Sequence, residues 1–159
     1  SITVNRLARL LDKSVYIHSE CSHTMISTED YETFLLPIDV VWSERYRPYG
    51  IHYCGTDPHR HAANFAKVPH LDFLDLGWGG DVKALREALP KTFLNIRLNP
   101  VELNGYSYDE LKQIIEERVG QSGNLNLTGL CCINMDAEVG DEKVAAIFEI
   151  AEQCRKKIE

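Results

Sequence analysis

Five times along this chain a short apolar run gives way to a polar or Gly-containing loop and then to an amphipathic helical stretch. That alternation limits the fold more than any other feature. The apolar runs are "SVYIHS", "YGIHYCG", "LDFLDLG", "TFLNIRL" and "NLTGLCC". The stretches that follow read as helices over "STEDYETFLLPIDVVWSERY", roughly Pro58 to Lys67, "DVKALREALP", "SYDELKQIIEERV" and "DEKVAAIFEIAEQCRKK". Val82, Leu85 and Leu89 share one face, as do Leu111, Ile114 and Ile115. Ser27 suits an N-cap, with Asp30 in the first turn, and Pro37 predicts a kink. The opening "TVNRLARLLDK", Thr3 to Lys13, reads as a helix feeding the first strand.

Strands alternating with helices of this length imply an α/β fold of parallel βα units. Five units are too few to close an eight-stranded barrel. The expectation is therefore an open sheet, or about five strands of a TIM-type (β/α)8 barrel whose earlier strands are absent. An open set of five parallel strands leaves edges to be covered by a second copy, by missing chain or by a terminal helix. No linker or low-complexity segment divides the 159 residues, which read as one domain.

In such sheets ligands bind beyond the carboxyl ends of the strands. Those ends carry Glu20 and Cys21; His52 and Cys54; Asp75; Arg97 and Asn99; and Cys131 and Cys132. Four of the five cysteines thus gather at one rim, and only Cys154 falls on a helix. His52 and Cys54, two residues apart on a strand, face the same way, whereas Tyr53 faces away. Thiolate plus imidazole is a ligand set that zinc prefers, and Cys131 or Cys132 would complete a three-ligand site with one open position. The plainer reading makes His52 and Cys54 packing residues, pairs Arg97 with a neighbouring carboxylate, and leaves His18, His23, His59, His61 and His70 solvated or locally hydrogen-bonded. Asp75, Arg97 and Asn99 are the candidates for substrate contacts.

Composition narrows the function classes. The net charge of −7 and the lack of a basic stripe weigh against nucleic acid. No apolar run is long enough to span a membrane, and the start shows no signal-peptide pattern. An odd cysteine count without the spacing of a secreted scaffold suits reduced thiols in the cytoplasm.

The order of motifs resembles the carboxyl-terminal half of the uroporphyrinogen decarboxylase-like superfamily. "MISTEDYETFLLP" is similar to its signature helix, "YGIHYCG" to the strand with His-x-Cys-Gly, and "FLDLGWGGDVKALREAL" to the next βα unit. "NIRLNP" is similar to a strand ending in Gly-Asn-Leu-Asp-Pro, with Ile96-Arg97 and Asn99 at the differing places. "GLCCINMDAEVGDEKVAAIFEIAEQ" is similar to the closing unit, with cysteines where the decarboxylases carry Gly-His-Gly.

The resemblance implies the zinc-dependent branch, which moves methyl groups between a corrinoid (methylcobalamin) protein and a thiol or similar acceptor. His52, Cys54 and one of Cys131 and Cys132 would hold the zinc. Separation from Cys54 favours Cys131, and alignment to the closing helix favours Cys132. Glu20 would be a displaceable fourth ligand or an acceptor for the imidazole N–H. The alternatives are a metal-free decarboxylase-like enzyme, with Arg97 binding a carboxylate, and a non-catalytic relative.

Overall fold

The computed structural model describes residues 2–4, 14–19 and 21–157. Strands β2 (Tyr16–Ser19), β3 (Tyr49–His52), β4 (Leu71–Asp75), β5 (Phe93–Arg97) and β6 (Thr128–Cys132) lie side by side in chain order, each parallel to the next. A parallel pair cannot be closed by a tight turn, so each connection crosses over and carries helix. The helical segments are α1 (Thr28–Asp30), α2 (Leu36–Arg45), α3 (Ala62–Phe65), α4 (Val82–Ala88), α5 (Tyr108–Gln121) and α6 (Asp141–Lys156). The result is an α/β fold built like part of a TIM-type barrel.

The far edge of β6 is covered by a strand, not by the expected helix. β1 (Ile2–Val4) pairs antiparallel with β6, Thr3 opposite Cys131. An unpaired edge offers a row of free backbone donors and acceptors, and a short extended segment satisfies them directly where a helix cannot. The rest of the expected opening helix lies outside the described residues.

Local chemistry accounts for the helix boundaries. Ser27 accepts from the Asp30 backbone N–H at 3.0 Å, and Asp81 from that of Ala84 at 2.9 Å. Ser107 and Glu110 form a reciprocal capping box on α5. The kink expected at Pro37 takes the form of a π-helical turn, Tyr31–Leu35, between α1 and α2. Proline has no N–H and its ring crowds the carbonyl one turn back, so the helix widens just before it.

The side facing the helices is the apolar core: Ile51, Leu74, Leu94, Ile96 and Leu130 pack against Leu85, Ile115 and Ile150. The opposite face is apolar only near the amino ends of the strands, where Phe73 and Phe93 stack at 5.6 Å. Among the described residues no helix is long and apolar enough to cross a membrane.

Candidate metal centre

Strand register lines up the polar residues of the face away from the helices. Ser19 is opposite His52, His52 opposite Asp75, and Asp75 opposite Asn95. Partners in register point to the same face, so one cross-strand row brings an imidazole, a carboxylate and an amide together. His52 Nδ1 lies 2.5 Å from Asp75 Oδ2, to which it donates when it carries the ring proton, and 3.0 Å from Arg97 Nη2. Asn95 Nδ2 donates to Oδ1 at 3.0 Å, and Arg97 Nη2 to Oδ2 at 2.7 Å. Burial pushes the Asp75 carboxyl up, but the His52 hydrogen bond and the Arg97 charge outweigh it and hold it below the usual carboxylate range.

In the tautomer that donates from Nδ1 to the carboxylate, Nε2 of His52 turns its lone pair toward Cys54 Sγ at 2.8 Å. Cys54 Sγ in turn lies 3.0 Å from Cys21 Sγ. Cys21 arrives on a 3-10 turn, Cys21–Thr24, that follows β2. These three side chains form a group able to hold a metal ion, their ligand atoms all within 4.8 Å of one another. Burial and the neighbouring Cys21 thiol push the Cys54 thiol up, more than the Arg97 charge lowers it. The proton between sulfur and imidazole occupies the direction that an ion would take.

The donor chemistry fits a soft or borderline cation: two sulfurs, one imidazole, and a carboxylate behind the imidazole that fixes its tautomer. The spacing is slightly tight. Two sulfurs held tetrahedrally at about 2.3 Å from zinc stand roughly 3.7 Å apart. Cys21, exposed on its short turn, is the member with room to move outward.

The third ligand beside His52 and Cys54 is therefore Cys21. Cys131 faces the same side of the sheet but lies beyond Asp75, 3.2 Å from Asn95 Nδ2 and 3.7 Å from Asp75 Oδ1. Burial and the Asp75 charge push its thiol up to about 12 despite Arg97. Cys132 points the other way, into the apolar core, because neighbours on a strand alternate. Glu20 lies outside the described residues. Sequence reasoning placed Cys21 at the correct rim, yet nothing in its spacing shows that the turn folds back over β3.

Arg97 is 1% exposed and pairs with Asp75. Its Nε, like that of Arg118 on α5, is buried without a hydrogen-bond partner among the described residues. Both guanidiniums line a cavity of about 130 Å³ together with Trp78, Asn99, Glu102 and Tyr106. Asn99 Oδ1 accepts from the Val101 N–H at 3.0 Å, which leaves its amide nitrogen uncommitted to that turn.

The histidines divide. His59 accepts from the Asp81 N–H at 3.2 Å, and His61 donates to the His23 carbonyl at 3.2 Å. His18 bonds Asp39 at 2.6 Å. His23 departs from the expectation of solvation or local bonding: it is fully buried, and among the described residues neither ring nitrogen has a well-formed hydrogen bond, the His52 backbone being a weak neighbour. Tyr53, facing away from His52 as expected, is buried and donates to Asp57 at 2.7 Å. Compared with models of known families and with curated proteins, the chain matches none.

Proposed function

We propose that the chain is the carboxyl-terminal part of a zinc-dependent methyltransferase of the uroporphyrinogen decarboxylase-like superfamily, passing a methyl group between a corrinoid protein and a thiol or similar acceptor. The observation that carries this reading is the convergence of Cys21, His52 and Cys54 with Asp75 behind the imidazole. Three protein ligands leave a fourth position for an incoming group, the pattern of catalytic rather than structural zinc. A zinc held there supplies Lewis acidity that favours the thiolate form of an acceptor thiol.

The protein's own groups do the rest. Asp75 keeps His52 in the tautomer whose Nε2 can ligate. Arg97 and Arg118 offer buried N–H edges to an anionic end of the substrate in the adjoining cavity. Trp78, with its ring 6.0 Å from the Arg97 guanidinium, forms one wall. The same arginine pair also supports the second reading, a metal-free decarboxylase-like enzyme that binds a carboxylate there.

Cobalt(II) substitution in chelator-stripped protein separates the two. The methyltransferase reading expects one equivalent with intense sulfur-to-cobalt charge-transfer absorption, abolished by Cys54→Ser and weakened by Cys21→Ser. No thiolate absorption in the native chain removes the metal-dependent reading and leaves the metal-free one.

A further inference from the structure

On the helix side of β2 and β3, behind the thiol-bearing group, lies a second convergence of ligand types. His18, next to last in β2, has its side chain toward α2, His23 comes from the 3-10 turn, and Asp39 sits one turn into α2. Their ligand atoms all lie within 4.8 Å of one another. Asp39 is fully buried and accepts from His18 Nδ1 at 2.6 Å, from the Tyr49 hydroxyl at 2.5 Å, and from the Tyr31 hydroxyl. A hydrogen-bonded network of that kind explains Asp39, His18 and the tyrosines. It does not explain His23, which brings two ring nitrogens into the same place, both buried and neither with a well-formed hydrogen bond among the described residues, the His52 backbone being a weak neighbour. Leaving such a group unsatisfied in the interior is destabilising. An aromatic hydrocarbon would fill the space among Tyr31, Tyr53 and His61 without that cost.

We infer that His18, His23 and Asp39 form a second metal site, buried between the sheet and α2, for a divalent transition ion of the zinc class. Two imidazoles and one carboxylate suit zinc, cobalt(II) or iron(II). They do not suit calcium or magnesium, which need more oxygen ligands. The Tyr31 and Tyr49 hydroxyls hold the carboxylate in place, as outer-shell donors do around metal-bound carboxylates. His18 keeps 13% of its side chain exposed, which gives an ion a way in. The turn Cys21–Thr24 carries a ligand of each group, Cys21 on one side and His23 on the other. Occupancy of the buried site would fasten the turn that presents Cys21. The inference stands whether or not the thiol-bearing group takes a metal.

The test is a cobalt(II) titration of the full 159-residue chain after chelator treatment, in native protein and in two variants. The expected result is an equivalent that gives only weak visible bands, without sulfur charge transfer. That equivalent persists in Cys54→Ser and is weakened at least tenfold in His23→Phe, which keeps an aromatic ring but has no lone pair. Ion-induced protection against thermal unfolding, measured in Cys54→Ser with and without His23→Phe, gives a second readout and should vanish with the imidazole. Native protein that binds nothing beyond a thiolate-linked ion overturns the inference. So does a sulfur-free equivalent that His23→Phe retains. A sulfur-free equivalent in a protein with no thiolate absorption supports this site and removes the zinc-thiolate reading instead.

Discussion

Asp75 accepts from His52, Asn95 and Arg97 at once, and the consequences of altering it differ for each. Asp75→Asn keeps the shape but weakens the hold on His52 Nδ1. Outer-shell changes of this kind typically cost 10–100-fold in metal affinity. Competition with a chelator should show that loss at the thiol-bearing group; unchanged affinity would mean that the carboxylate does not orient the ligand. The same change leaves the buried Arg97 charge uncompensated, so the urea midpoint should fall by the equivalent of about 3–5 kcal/mol.

His23 supplies the pH dependence. Burial lowers its pKa from 6.5 to about 4, more than the Asp39 charge raises it. The unfolded chain therefore takes up a proton that the folded one refuses. The associated stability is complete above about pH 6.5 and is lost as the pH falls from there toward 4, by up to about 3 kcal/mol. Denaturation of metal-free protein at pH 7 and pH 4.5 measures it, and His23→Phe should flatten the slope.

At the scale of elements, the rim loops are fastened by close backbone approach. Gly77, after β4, meets the loop after β3 so closely that a Cβ built on it would lie 1.4 Å from the Gly55 carbonyl oxygen. No side-chain rotation relieves a contact with backbone. Gly77→Ala should therefore push the two loops apart, lower the thermal midpoint and disturb Cys54, one residue from Gly55. A thermal melt and the cobalt spectrum report both effects; an unchanged melt would show that the loops yield easily. The capping box of α5 is more modest. Ser107→Ala should cost about 1 kcal/mol in chemical denaturation without touching the site, because α5 begins on an exposed loop.

Over the whole molecule the two edges of the sheet are treated differently. β1 covers β6, whereas β2 has no outer neighbour in the sheet among the described residues and exposes Tyr16 and Ile17. Beside it Phe34, Ile38 and Val41, spaced as one helical face, are also exposed. A parallel edge next to an apolar helical stripe is where a preceding βα unit of a barrel would pack. The 159-residue chain by itself is expected to self-associate there. Light scattering should show a mass above 18.1 kDa that falls toward it when Ile38 and Val41 are both replaced by lysine. A compact monomer in the native chain would exclude that contact.

The order of strands and helices was legible in the sequence because it depends on short-range rules: apolar runs for strands, periodic stripes for helices, Ser27 and Ser107 for starts. The shared orientation of His52 and Cys54 was legible too, since alternation along a strand is a property of the backbone. By the same rule Cys131 and Cys132 had to point oppositely, but which of them faced the site depended on register, and register is set by pairing with β5. Tertiary structure alone decided the partners. Cys21 reaches Cys54 across 33 positions, and Asp39 meets His18 across 21, through loop paths and helix packing that no local pattern encodes. The opening segment shows the same limit: its residues suit a helix, yet Ile2–Val4 extends along β6, because an open edge rewards backbone pairing over local preference.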